Sequence, residues 1–266
     1  MNHLLRELAP ISDEAWTALD EEARQRSKPA LAARKFVDFS GPHGWQHSAT
    51  NLGRAVPLAS RPSEGVSVLQ RRVVPVVELR ADFALARSEI RAIERGATGP
   101  DLGELDKAAH EIALGENVAV FYGIEGAFQG VAQNSPYPHA ELGSTARDYP
   151  SRVAEAVARL LDNGISGPYA LLLGPAHYTL VSEETEHGGY PLFDHLARIV
   201  EGPVVRAPGA VGAVVASMRG GDFLFESGED LSLGYESHDG EVVRLYLEES
   251  FSFLVATPEA AVVIGA

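Results

Sequence analysis

The densest group of residues able to do chemistry is Glu183-Glu184-Thr185-Glu186-His187-Gly188-Gly189-Tyr190, flanked by His177 and His195. Glu183 and His187 stand four apart, the spacing at which two ligands share one helix face and can hold a metal ion. Gly188-Gly189 would end such a helix, and no second acidic or histidine pair converges on it, so a solvated acidic loop without metal is the expectation. Repeated around a symmetry axis, such a loop would form an acidic pore mouth. Other chemistries lack their motifs. A phosphate-binding loop needs a glycine-rich turn with a lysine, and none of Lys28, Lys35 and Lys107 follows such a turn. Gly220-Gly221 precedes a strand-like run and reads as a turn, not as a dinucleotide fingerprint. A Gly-x-Ser-x-Gly elbow is missing, and the absence of cysteine removes disulfides, thiolate zinc sites and a Cys nucleophile.

The chain that must position these residues has 266 of them, 45% hydrophobic and 22% charged, enough to bury one sizeable core or two small ones. Lys and Arg total 22 against 37 Asp and Glu, a formal charge of −15. Basic residues are adjacent only at Arg34-Lys35 and Arg71-Arg72, so neither nucleic acid nor an anionic membrane is an expected partner. The start lacks a basic segment followed by an apolar run, and apolar stretches such as Ala210 to Met218 fall short of the roughly 20 residues a spanning helix needs. A cytoplasmic location is expected.

Ser12 is placed to cap a helix whose Trp16, Leu19 and Ala23 share a face and which Pro29 stops. Arg34 to Phe39 alternates charged and apolar residues like an extended segment. From Thr50 to Phe83 the pattern is a hairpin, turning at Ser60 to Gly65 and returning from Val66 to Leu85. Two strands alone are marginal in water, so an arm of this length must lie on its own core or on a neighbouring chain. Asp101 to Phe121 reads as the longest helix, with Leu105, Ala108, Ala109 and Ile112 on one stripe. Val153, Ala156, Val157, Leu160 and Leu161 mark another, followed by a buried strand from Pro168 to Gly174 and two helices, around Pro175 to Val181 and Leu192 to Val200. Strands resume at Val204 and Ala213. In the last long strand Val243, Leu245, Leu247, Phe251, Phe253 and Val255 occupy one face, Glu249 being the exception. Arg244, Tyr246, Glu248, Ser250 and Ser252 occupy the other, expected to be mostly wet.

These segments carry a resemblance that runs nearly end to end. Leu8-Ala9-Pro10 with Trp16, Arg34-Lys35-Phe36-Val37-Asp38, and Gly41-Pro42 with Gly44-Trp45 are followed by Pro75 with Glu78-Leu79-Arg80 and by Glu94-Arg95-Gly96. Gly167-Pro168-Tyr169, His187 with Tyr190-Pro191-Leu192, Arg219 to Phe223, Asp230 to Tyr235 and Val243-Arg244-Leu245 complete the set. In this order and spacing they resemble the encapsulins, bacterial and archaeal shell proteins. The resemblance implies an α+β, HK97-like phage capsid fold: an N-terminal arm and the start of a peripheral domain (1–49), an extended loop (50–80), a peripheral domain with a spine helix (81–133), an axial domain (134–218) and a peripheral sheet (219–266). A prophage major capsid protein of the same fold and, outside it, a small metal-dependent enzyme built on Glu183 to His187 are the competing readings.

By the same resemblance the chain would be structural, not enzymatic. About 60 identical subunits, or a permitted multiple, would close into an icosahedral nanocompartment. Its cargo would be ferritin-like or dye-decolourising peroxidase enzymes, serving iron storage or oxidative stress and docked by a C-terminal targeting peptide. The docking groove would use Leu8 and Ile11 as apolar walls, Arg34, Phe36 and Asp38 beneath them, and Leu231, Gly234 and Tyr235 on the facing strand. Glu183, Glu184, Glu186, His187, Gly188, Gly189 and Tyr190 would line the five-fold pore and favour small cations. Some relatives hold a flavin near an aromatic residue at the position aligned with Ser88, and serine cannot stack on that ring, so no cofactor is expected.

Overall fold

The computed structural model describes residues 2–138, 141–142, 145–185 and 189–265. After a 3-10 turn at Arg6–Leu8, helix α1 spans Asp13–Ser27; Ser12 caps it as its sequence suggests, its Oγ accepting from Ala15 N at 3.3 Å. A second 3-10 turn, Ala33–Lys35, leads into strand β1 (Asp38–Ser40). Here the extended reading of Arg34 to Phe39 holds for Asp38 and Phe39 in β1 but gives way over Arg34 and Lys35. Asn117 Oδ1 accepts from both Ala32 N and Ala33 N at 2.9 Å, which pins a turn that the local alternation does not contain.

Strands β2 (Ala49–Pro57) and β3 (Leu69–Pro75) pair only with each other, Thr50 opposite Val74 and Val56 opposite Gln70. The expected single return strand is two. Pro75, which has no N–H to give to a ladder, ends β3, and β4 (Val77–Ala86) then joins a different sheet. Helices α2 (Arg87–Glu94) and α3 (Gly103–Tyr122) follow. The 20 residues of α3 reach about 30 Å. Its first half packs Leu105, Ala109 and Ile112 against Trp16 and Leu19 of α1, and its last turns pack Val120 and Phe121 into a second core.

The second core is built by short α4 (Val131–Asn134), α5 (Tyr149–Asp162), β5 (Tyr169–Leu173), α6 (Pro175–Glu183), α7 (Leu192–Val200), β6 (Val204–Arg206) and β7 (Ala213–Ser217). Leu160 of α5 is fully buried while Leu161, at the edge of the predicted stripe, is 56% exposed. Strands β8 (Phe223–Ser227), β9 (Ser232–His238) and β10 (Val242–Val255) then complete the first sheet, in the order β1-β8-β10-β4 with β9 also on β10. The final strand, β11 (Ala261–Ile264), crosses to the second sheet, ordered β11-β7-β5-β6. Residues beyond 219 are thus shared between the two sheets, because a short run of Ala, Val and Ile suits any buried strand and carries no address.

The face of β10 expected to be wet is mostly covered. Tyr246, Glu248, Ser250 and Ser252 are all buried, and only Arg244 stays exposed. Tyr246 Oη donates to His3 O at 3.2 Å, His3 Nε2 lies 2.9 Å from Glu248, and the Thr50 hydroxyl at the hairpin base meets Ser252. The covering chain comes from nearly the opposite end of the sequence, so no local pattern announces it.

Candidate functional site

Arg34 stands where the two cores meet. The turn that Asn117 pins aims its guanidinium at three carboxylates: Nε at Glu116 Oε2 (2.6 Å), Nη1 at Asp230 Oδ1 (2.7 Å) and Nη2 at Glu249 Oε2 (2.8 Å). Glu116 and Glu249 are fully buried. Burial opposes the guanidinium charge, but its three acidic neighbours prevail and raise its pKa. Burial pushes Glu249 well above the ordinary glutamate range, with the negative charge of Glu116 adding to it and Arg34 pulling the other way. Glu116 is also raised by burial, against the pull of Arg34. One oxygen of each, Glu116 Oε1 and Glu249 Oε1, meets no donor among the described residues, and a proton shared between the two carboxyls would satisfy both.

Above this network opens a cavity of about 690 Å³ between the C-terminal half of α1, the N-terminal segment and β9. Leu4, Ala23, Leu31, Leu231 and Leu247 supply apolar wall; Arg34 and Asp230 form part of its polar lining. The N-terminal segment is held along the outer edge of β9, where Tyr235 N donates to Leu4 O (2.8 Å) and Arg6 Nε to Leu233 O (2.8 Å). Arg6 also pairs with Asp20 of α1 and lies 4.5 Å over the Trp16 ring, tying segment, helix and strand together.

Of the residues proposed for a docking groove, the structure brings Arg34 and Leu231 together on this cavity. Ile11 lines a separate, smaller depression beside Trp16, and Leu8 is half exposed. The others do structural work. Phe36 is buried against Phe121 and Phe223, and Asp38 accepts from Gly221 N at 2.8 Å, holding the turn into β8. Gly234 lies under the Tyr246 ring, which a Cβ there would overlap, and the buried Tyr235 hydroxyl meets His238. Sequence reasoning missed Glu116, Glu249, Lys28 and Lys35. The first two had a signal, since each is an acid on an otherwise apolar stripe, of α3 and β10 respectively.

The acidic loop starts at the end of α6. Glu183 is that helix's last residue and Glu184 follows it, both exposed. Glu184 O accepts from Leu192 N at 3.1 Å, an isolated bridge joins Thr185 to Pro191, and Arg198 of α7 lies 5.1 Å from the Tyr190 ring, so both ends of the loop are fixed. Gly189 is exposed with φ +79°, and Glu186, His187 and Gly188, including the histidine of the candidate metal pair, lie outside the described residues. Among the described residues no three acids or histidines stand where a metal ion could bridge them.

Three comparisons bear on this architecture. A family model described as an encapsulating protein for peroxidase matches residues 1–252. The type 1 encapsulin shell protein of Rhodospirillum rubrum is 45% identical over 268 aligned residues, covering 98% of this chain and 96% of that one. A virus-like particle from Pyrococcus furiosus superimposes with a TM-score of 0.69 at 16% identity, over 94% of this chain and 99% of that one, and the capsid of the myovirus XM1 with 0.53 at 10%, over 87% and 90%.

Proposed function

The chain belongs to the encapsulin family of shell proteins, with the α+β, HK97-like fold of phage capsids, and from that premise we propose that its copies close into an icosahedral container holding cargo enzymes in the cytoplasm. The observation that carries the closed assembly is the β2–β3 hairpin. Only its base is anchored, at Thr50 and Val74; the stretch from 57 to 67 is exposed throughout, and Leu58, Val66, Leu69 and Val73 are large apolar side chains left in solvent. An isolated two-stranded arm is marginal in water, so a neighbouring subunit supplies its missing contacts. Identical subunits using identical surfaces close at about 60 copies or a permitted multiple.

Cargo enters this reading through the cavity beside Arg34. A cleft with apolar walls and a few fixed polar groups suits an extended peptide with apolar side chains, here the C-terminal targeting peptide of a ferritin-like or peroxidase cargo. The acidic loop serves as the pore mouth, where repeated glutamates gather cations. Negative-stain microscopy and light scattering of the purified protein test the assembly. Closed megadalton particles are expected, and a small soluble oligomer overturns it. Co-expression with a fluorescent protein carrying a candidate cargo tail tests the docking: the tail should bring the reporter into wild-type particles and fail to do so in Leu231→Asp particles.

A further inference from the structure

Lysine is scarce in this chain, three residues in all, and two of them, Lys28 and Lys35, line the same cavity. The other cations there have acids of their own: Arg6 has Asp20, Arg24 has Glu21, and Arg34 has its three carboxylates. Lys28 and Lys35 are exposed, and no described residue pairs with or accepts a hydrogen bond from either ammonium. Their backbones are fixed, Lys28 closing α1 with its N–H on Arg24 O (3.1 Å) and Lys35 sitting on the turn held by Asn117. In a chain of charge −15, two lysines without acidic partners on one cavity run against the average of the molecule, even though the acids around Arg34 outnumber it.

The combination of apolar wall and two free ammonium groups describes an occupant with apolar side chains and a carboxylate. We infer that Lys28 and Lys35 clasp a carboxylate of the docked cargo peptide, either its terminal α-carboxylate or an acidic side chain within it. This rests on reading the cavity as the docking pocket. Each ammonium can give a charge-assisted hydrogen bond to the carboxylate, and the same charges disfavour basic peptides, so the pair acts on selectivity as well as on affinity.

Shells dissociated and reassembled with a short dye-labelled peptide of alternating serine and leucine test the inference, because the probe then reaches either face of the wall. Three forms are compared: a free carboxyl terminus, a terminal amide, and an amide with one serine replaced by glutamate. At low ionic strength at least one of the two carboxylate-bearing forms should be retained about fivefold better than the plain amide, and whichever gains names the source of the carboxylate. High salt should erase the gain, as should the Lys28→Gln/Lys35→Gln pair, while Lys107→Gln should leave it intact. Equal retention of all three forms, with loss in Leu231→Asp shells, overturns the clasp and leaves the docking pocket standing. A gain that persists in the double lysine variant also overturns the clasp. No form retained above the Leu231→Asp background overturns both.

Discussion

Glu249 presents Oε2 to Arg34 Nη2 at 2.8 Å from a position on β10 that the strand's alternation otherwise fills with Val, Leu or Phe. A carboxylate there is tolerable only because a guanidinium from a turn 215 residues earlier reaches it. Removing the guanidinium leaves two buried acids against one exposed one, Asp230, with no counter-charge. Arg34→Met should therefore destabilise the subunit by about 3–5 kcal/mol. Arg34→Lys should recover little, since a compact ammonium cannot span the separate points at which Nε, Nη1 and Nη2 of the guanidinium meet the three carboxylates. Thermal unfolding of the purified variants checks both; an Arg34→Met subunit as stable as wild type would mean that the acids are neutral without help.

Glu249 also sets a pH dependence. Its folded pKa is raised above the unfolded value, so the folded state binds the proton more tightly and the resulting stability is fully present below the ordinary glutamate pKa. It is lost as pH rises from that value through the raised one. Glu249→Gln keeps an acceptor for Arg34 and provides a permanent donor for Glu116, so its stability should fall less than that of wild type across this window. Melting temperatures of both proteins from mildly acidic to mildly alkaline pH measure the difference, and parallel curves would count against a shared proton.

Where a segment's partners lie on its own element, the sequence displays them: the Ser12 cap, the α3 stripe and the inward residues of β10 are all visible as periodicity. The turn at Ala33–Lys35, the covered face of β10 and the sheet that takes β11 depend on residues far away in the chain, and periodicity is blind to those. The same division runs through the site. Arg34 and Leu231 stood out by resemblance, whereas the cavity's free lysines are visible only once Asp20, Glu21, Glu116, Asp230 and Glu249 have been assigned to other cations.

Gly234 separates a packing role from a cargo-contact role. A methyl group there runs into the Tyr246 ring, which Arg80 flanks from 3.8 Å. Gly234→Ala should destabilise the subunit by about 1–3 kcal/mol through overpacking. Adding Tyr246→Ala opens the space, so the double variant should be more stable than the sum of the two single losses predicts. Additive losses measured by denaturant unfolding would show that the glycine is required for some other contact.

The hairpin's exposed residues give assembly variants that leave the subunit's own core untouched. Leu69 is 63% exposed and Val73 is 48% exposed, so Leu69→Asp and Val73→Asp should not alter circular dichroism or the melting of isolated subunits. Across a subunit contact, each would bury a carboxylate without a partner, repeated about 60 times per shell. Size-exclusion chromatography should show the megadalton peak replaced by subunits or small oligomers. Intact particles from both variants would place the arm in solvent instead of on a neighbour.

The acidic loop is the last feature whose effect scales with copy number. Glu183 and Glu184 are exposed beside a loop tied at both ends, and in the proposed pore their charges would add to that of Glu186 around the axis. A ring of carboxylates raises the local concentration of cations and lowers that of anions, with a reach set by the Debye length of about 8 Å at physiological salt. Glu183→Gln/Glu184→Gln/Glu186→Gln shells loaded with an iron chelator should therefore take up ferrous ion several-fold more slowly than wild type at low ionic strength. The gap should narrow as salt is added, and uptake of a neutral dye of similar size should not change. Equal ferrous uptake at low salt would remove the loop from the cation path, because screening, the one effect able to mask a charged ring, is weakest there.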